Sequence, residues 1–192
     1  MRNRQDFDKE FNLDTMFPTG DFEWNDIVCP ALGLATGLAA PTIAVSSGIR
    51  YYAFSGGTSG TADELHGVFE MLHDYVEETD CELHAHWFPV NNATGDVILG
   101  VDYAICKVHE APIYVTGVTV LARTIASDET GIHHVNNVAI IPGAGMRIGA
   151  NIMFRIYRPK IVTSTYGASI GMLTIGLHCK VNSLGSKGVS SK

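Results

Sequence analysis

The sequence predicts an all-β chain: a jelly-roll-like antiparallel β-sandwich with an extended N-terminal arm. Three observations predict it. Apolar and polar residues alternate over long runs, the mark of strands with one buried face. Twenty glycines, many in stretches rich in Ser, Thr and Ala, punctuate those runs at short intervals. No stretch keeps apolar residues at helical spacing for three turns.

Residues 1–23 read as the arm. They mix charge with isolated aromatics, Phe7, Phe11 and Phe17, and run into Pro18-Thr19-Gly20. Such a segment cannot bury a core of its own but carries anchors for docking on a neighbour. A short amphipathic helix over Phe7 to Leu13 is the competing reading. Residues 24–182 read as one sandwich domain and 183–192, rich in Ser, Gly and Lys, as a tail. The clearest strand is expected at Arg147 to Arg158, with Ile148, Ala150, Ile152, Phe154 and Ile156 on one face. Leu173, Ile175, Leu177, Cys179 and Val181 repeat the pattern, as do Val97, Leu99, Val101, Tyr103 and Ile105. Weaker runs lie at Ile49–Phe54, Leu65–Leu72, Val115–Ala122 and Val135–Ile141, and Leu65 to Val76 also fits a helical stripe. Gly33–Ser47, Ser55–Ala62 and Ser127–Gly131 read as loops.

A chain of 192 residues is long enough for one substantial core. It is 46% hydrophobic and only 17% charged, against about 25% charged in an ordinary soluble domain. Apolar surface beyond the needs of one core points to burial against copies or partners. The net charge of −7 argues against a nucleic-acid partner, which needs a basic face. No apolar run approaches the ~18 residues of a membrane helix, and no signal peptide is expected after Met1-Arg2-Asn3-Arg4. Cys29, Cys81, Cys106 and Cys179 form no CxxC pair and read as buried reduced thiols.

The chemistry-bearing centre is His84-Ala85-His86-Trp87. On a strand from Cys81 to Phe88, Leu83, Ala85 and Trp87 share the core face, while Glu82, His84, His86 and Phe88 face outward or into an interface. Histidines two apart also occur as metal ligands on jelly-roll strands, so His84 and His86, with His178 as a distant third, are the metal candidates. No carboxylate follows before Asp96, and the expectation is a non-enzyme with no cofactor. His133-His134 makes a poor chelating pair, since adjacent strand residues face opposite ways. Arg147, Arg155 and Arg158 are expected to stripe one strand face. No GxSxG, HExxH or phosphate-binding loop is present.

Several segments in a fixed order resemble a group of tailed-phage virion proteins. They are Trp24-Asn25-Asp26-Ile27-Val28-Cys29-Pro30, Leu72-His73-Asp74-Tyr75 with Glu78-Thr79-Asp80, and His84-Ala85-His86-Trp87. The series continues with Gly100-Val101-Asp102-Tyr103, Met153-Phe154-Arg155-Ile156-Tyr157-Arg158 and Gly185-Ser186. Leu72, Asp102 and Leu177-His178-Cys179 depart from the group's pattern. The resemblance implies a virion structural protein, a jelly-roll module in a homo-oligomer, with a trimer favoured. The expected function is capsid decoration or cement, binding the major capsid protein or other virion proteins after assembly in the host cytoplasm. A tail, neck or head-fibre part is the first alternative and a cupin-like metalloenzyme the second. On this reading Phe7, Phe11, Phe17, Trp24, His84 and His86 serve subunit or capsid contacts, while Trp87, Tyr103 and Phe154 belong to the core.

Overall fold

The computed structural model describes residues 23–182. The expected arm, with Phe7, Phe11 and Phe17, and the expected tail lie outside the described residues. Eleven strands follow in order: β1 (Glu23–Pro30), β2 (Ala35–Thr36), β3 (Thr42–Ser46), β4 (Ile49–Phe54), β5 (Glu64–Glu70), β6 (Cys81–Pro89), β7 (Gly95–Cys106), β8 (Ile113–Ile125), β9 (His134–Ile141), β10 (Asn151–Tyr157) and β11 (Ile170–Val181). One sheet runs β3-β4-β11-β6-β9, with β1 also on β11; the other runs β2-β5-β10-β7-β8. Every pairing is antiparallel.

The connectivity is that of a jelly roll. Pairing nests inward from the chain ends: β1 with β11, β5 with β10, β6 with β9, β7 with β8. One side of β11 is shared between two partners, β4 along Ile170–Met172 and β1 along Thr174–Val181. The inward faces of both sheets meet in one core, and Trp87, Tyr103 and Phe154 all lie in it. Full burial of each such side chain contributes about 1.5–3 kcal/mol.

The structure redraws several expected boundaries. β10 starts at Asn151, not Arg147. Gly149 takes φ +77°, Ala150 N–H donates to Arg147 C=O at 3.1 Å, and the Glu77 carboxylate accepts from Ile148 N–H at 3.3 Å. These contacts hold residues 147–150 as a turn. The stripe of arginines therefore does not form. Arg147 pairs with Glu77 and Glu78 in that turn, Arg155 stands on the outer face of β10, and Arg158 is buried. Arg158 donates to the carbonyls of Phe54, Ala168 and Tyr166, and burial pushes its pKa down to about 10. The expected loop Gly33–Ser47 contains β2 and β3. The ambiguous Leu65–Val76 segment is strand β5 followed by a turn, not a helix. On β11 a bulge between Met172 and Thr174 shifts the phase, so Met172 is buried where Leu173 was expected to point inward. Glu23, placed in the arm by the sequence pattern, is the first residue of β1.

The turn that carries His73 to Asp80 is held by its own side chains. Tyr75 is fully buried and its hydroxyl donates to Thr79 C=O. Asp80 accepts from Gly143 N–H at 2.8 Å, which ties this turn to the one that leads into β10.

Candidate functional site

Two outer sheet faces concentrate the polar chemistry. The first belongs to the sheet of β1, β11, β6 and β9. Antiparallel register places Asp26 beside His178 and Gly176 beside His84. Because Gly176 has no side chain, the His84 ring lies over it; a Cβ there would come within 2.3 Å of His84 Nε2. His84 is thereby only 5% exposed. The outward-facing position expected for it is right in direction, but the ring is covered.

The result is a row of rings across four chain segments. Trp24 and His178 stand 4.6 Å apart by ring centroid. His178 to His84 is 6.3 Å and His84 to His86 is 5.1 Å. His86 stacks on His133 at 5.0 Å, and His86 Nδ1 lies 2.9 Å from His133 Nε2. One ring of that pair donates and the other accepts, so at least one is neutral. Burial, then the neighbouring His84 and His133, hold His86 below the usual imidazole range against the pull of Asp26. Lys180 lies over the Trp24 ring at 5.5 Å. Beneath the row, Trp87 donates to Asn136 Oδ1 at 2.9 Å and packs on His134. Around it Trp24, Val28, Val135 and Ile140 are exposed.

Sequence reasoning missed His133. Adjacent His133 and His134 do face apart, as the strand rule requires, but His133 joins His86 from 47 positions away. Only the pairing of β6 with β9, Trp87 opposite His134, brings them together. His178, whose orientation the sequence left open, falls on the same face as His84 and His86. Among the described residues, no group of three His, Cys, Asp or Glu side chains is placed to hold a metal ion.

The second face belongs to β5, β10, β7 and β8. Arg155 bridges Glu64 and Asp102, its Nη1 donating to Asp102 Oδ2 at 2.7 Å, and lies 4.2 Å above the Tyr157 ring. Glu64 is 7% exposed. Burial pushes its carboxyl up, but Arg155 and the Leu38 N–H outweigh that and hold it below the usual carboxylate range. Asp102 also accepts from Gly117 N–H at 2.6 Å, where β8 bulges away from β7. Next to this charged row runs an apolar one: register aligns Val68, Met153, Ala104 and Tyr114 across the four strands. Tyr114 is 73% exposed and Met153 54%. The two rows border a shallow hollow of about 240 Å³ lined by His66, Asp102, Tyr114, Thr116, Met153 and Arg155, among others.

No protein-family model matches the chain, and no curated protein does. Among solved structures, a family GH115 4-O-methyl-α-glucuronidase with specificity for decorated arabinogalactans aligns at TM-score 0.45 and 12% identity. That alignment covers 85% of this chain but only 18% of the glucuronidase. The CBM22-2 xylan-binding domain of Paenibacillus barcinonensis Xyn10C aligns at TM-score 0.39 and 8% identity, over 80% of this chain and 91% of that one. A chain from the structure of infectious bursal disease virus Gt strain aligns at TM-score 0.28 and 10% identity, over 76% of this chain and 39% of that one.

Proposed function

We propose that this chain is a virion structural protein of a tailed bacteriophage, a capsid decoration protein that associates with copies of itself and with the outer surface of the head. The observation that carries the reading is the surface of the isolated sandwich. One sheet turns Trp24, Val28, Val135 and Ile140 to solvent, and the other turns Val68, Tyr114, Leu121 and Met153. Apolar side chains grouped in this way mark surfaces that partners cover.

The segments that carry the phage resemblance support the same reading by their positions. Apart from Gly185-Ser186, which lies outside the described residues, they form β1, the Tyr75–Asp80 turn, the centres of β6 and β7 and the second half of β10. They are the frame of the sandwich. Trp87, Tyr75 and Arg158 hold that frame through buried contacts. A decoration protein needs little more than such a frame and its contact faces. Spread over a shell, burial of about 800 Å² per partner gives a strong hold even when each contact is weak.

Counting this chain against the major capsid protein in purified virions, by quantitative mass spectrometry, tests the reading. A ratio of one-third or above is expected for a shell component. A few copies per hundred would move the protein to the tail, neck or a head fibre. Absence from virions would overturn the structural role.

A further inference from the structure

We propose that Cys81 and Cys179 form a redox staple: free thiols while the chain is in reducing surroundings, one cross-strand disulfide once it enters oxidising ones. The proposal stands on the register of β6 and β11 and does not depend on the functional reading above. After the bulge at Met172, that register pairs Leu83 with Leu177 and Glu82 with His178. One step further along, Cys81 falls opposite Cys179. Both side chains point inward, on the faces that carry Leu83 and Leu177, and both lie in the core. Directly opposed residues of an antiparallel pair have Cα atoms about 4.5–5.5 Å apart, inside the roughly 4.4–6.8 Å that a disulfide spans. The Cys179 thiol donates to Leu177 C=O at 3.9 Å. All four cysteines are free in this structure. Cys29 instead donates to Val68 C=O and so faces the second sheet, and Cys106 ends β7 opposite Asn151.

A cover holds the pair. Tyr75 bridges to Val181 and is fully buried, its hydroxyl donating to Thr79 C=O. Val76 N–H donates to Lys180 C=O at 2.9 Å and Asn182 N–H to Asp74 C=O at 2.8 Å, so the 74–76 segment is laced along the end of β11. The neighbouring Cys81 thiol, then burial, push the Cys179 thiol well above the usual thiol range, which makes exchange slow until this cover opens.

The step balances with a low-molecular-weight disulfide as oxidant. One thiol of the pair loses its proton and attacks a sulfur of the small disulfide, expelling one thiolate and leaving a mixed disulfide. The second thiol, deprotonated, attacks the protein sulfur of that mixed disulfide, closes the Cys81–Cys179 bond and expels the other thiolate. Two S–H bonds are lost and one S–S bond forms; the oxidant is reduced to two thiols, which take up both protons. The closed bond joins the start of β6 to the end of β11, on the core face of the first sheet next to Glu82 and His178.

The test uses the full chain and oxidised glutathione, applied both to native protein and during refolding from denaturant, so that burial alone cannot hide the pair. After free thiols are blocked with N-ethylmaleimide, non-reducing peptide mapping is expected to find Cys81 linked to Cys179, with Cys29 and Cys106 alkylated. The linked protein is lighter than the reduced one by two hydrogens, and dithiothreitol reverses the change. Its melting temperature rises, and Cys179→Ala abolishes the rise. Four alkylated cysteines after both treatments, or a link involving Cys29 or Cys106, would overturn the proposal.

Discussion

The two outer faces of the sandwich solve the problem of polar groups on a sheet in opposite ways. The first, over β6 and β11, carries a row of imidazoles in which His86 and His133 share a hydrogen bond, and burial holds His86 below the usual imidazole range. The second, over β10 and β7, carries Arg155 locked between two carboxylates, Glu64 and Asp102. Arg155 and the Leu38 N–H outweigh burial and hold the Glu64 carboxyl below its usual range. Both faces flank their polar row with exposed apolar side chains. The difference teaches that one face is tied by opposite charges, while the other rests on packed rings of which His86 is disfavoured in its protonated form.

The largest expected effects test whether the faces differ at the surface alone. Trp87 lies fully buried beneath the first, and Phe154, stacked on Phe69 at 4.9 Å, lies beneath the second. Trp87→Ala and Phe154→Ala are each expected to cost about 3–5 kcal/mol, read by urea denaturation. A much smaller loss at one of them would show that its face is not backed by the core at that point. Next in size is Arg155→Met, which leaves the Glu64 carboxylate covered and without its cation, at an expected cost of about 1–3 kcal/mol. Glu64→Gln in the same background is expected to restore part of that loss.

The third expectation separates the faces by pH. His86 has its folded pKa below the ordinary imidazole value, through burial and then its histidine neighbours. His134 does too, through burial and then Arg123. The folded state therefore binds protons less readily than the unfolded chain. The stability these groups contribute is present above pH ~6.5 and is lost as pH falls through their folded values. Thermal melts from pH 7.5 to 5 are expected to fall, and His133→Gln, which keeps a partner for His86 but removes a ring that holds its pKa down, is expected to flatten the fall. Arg155→Met is expected to leave its slope unchanged, since the contribution of Glu64, whose pKa is lowered, is lost only in more acidic solution. The smallest expected effect on the fold is that of His86→Ala. The ring is half-buried, so stability should change by less than about 1 kcal/mol, while self-association weakens. His84→Ala is different: its ring fills the space over Gly176, and its removal adds a packing loss.

The alternation that predicts a sandwich is a property of strands with one wet face, and β6, β7, β10 and β11 have that property, so they were legible. β2 and β3 were not. Their residues, Ala35-Thr36 and Thr42-Ile43-Ala44-Val45-Ser46, are mostly exposed, and their strand character comes from pairing with β5 and β4. The overrun of β10 to Arg147 has a similar source. Ile148 and Ala150 are buried as the pattern requires, but by a turn whose backbone Glu77 and Gly149 set. At the site, the parity of His84, His86 and Trp87 could be read locally. The link from His86 to His133, the cover of His84 over Gly176 and the facing of Cys81 to Cys179 could not, because each depends on which strands become neighbours and in what register.

The central claim is that these apolar faces are contacts between copies. Sedimentation velocity of the full chain at pH 7.5, with Val28→Glu and Val135→Glu combined as the comparison, tests it most directly. An oligomer that the paired substitutions dissociate into folded monomers is the expected result. A wild-type chain that stays monomeric at every concentration reached would contradict it.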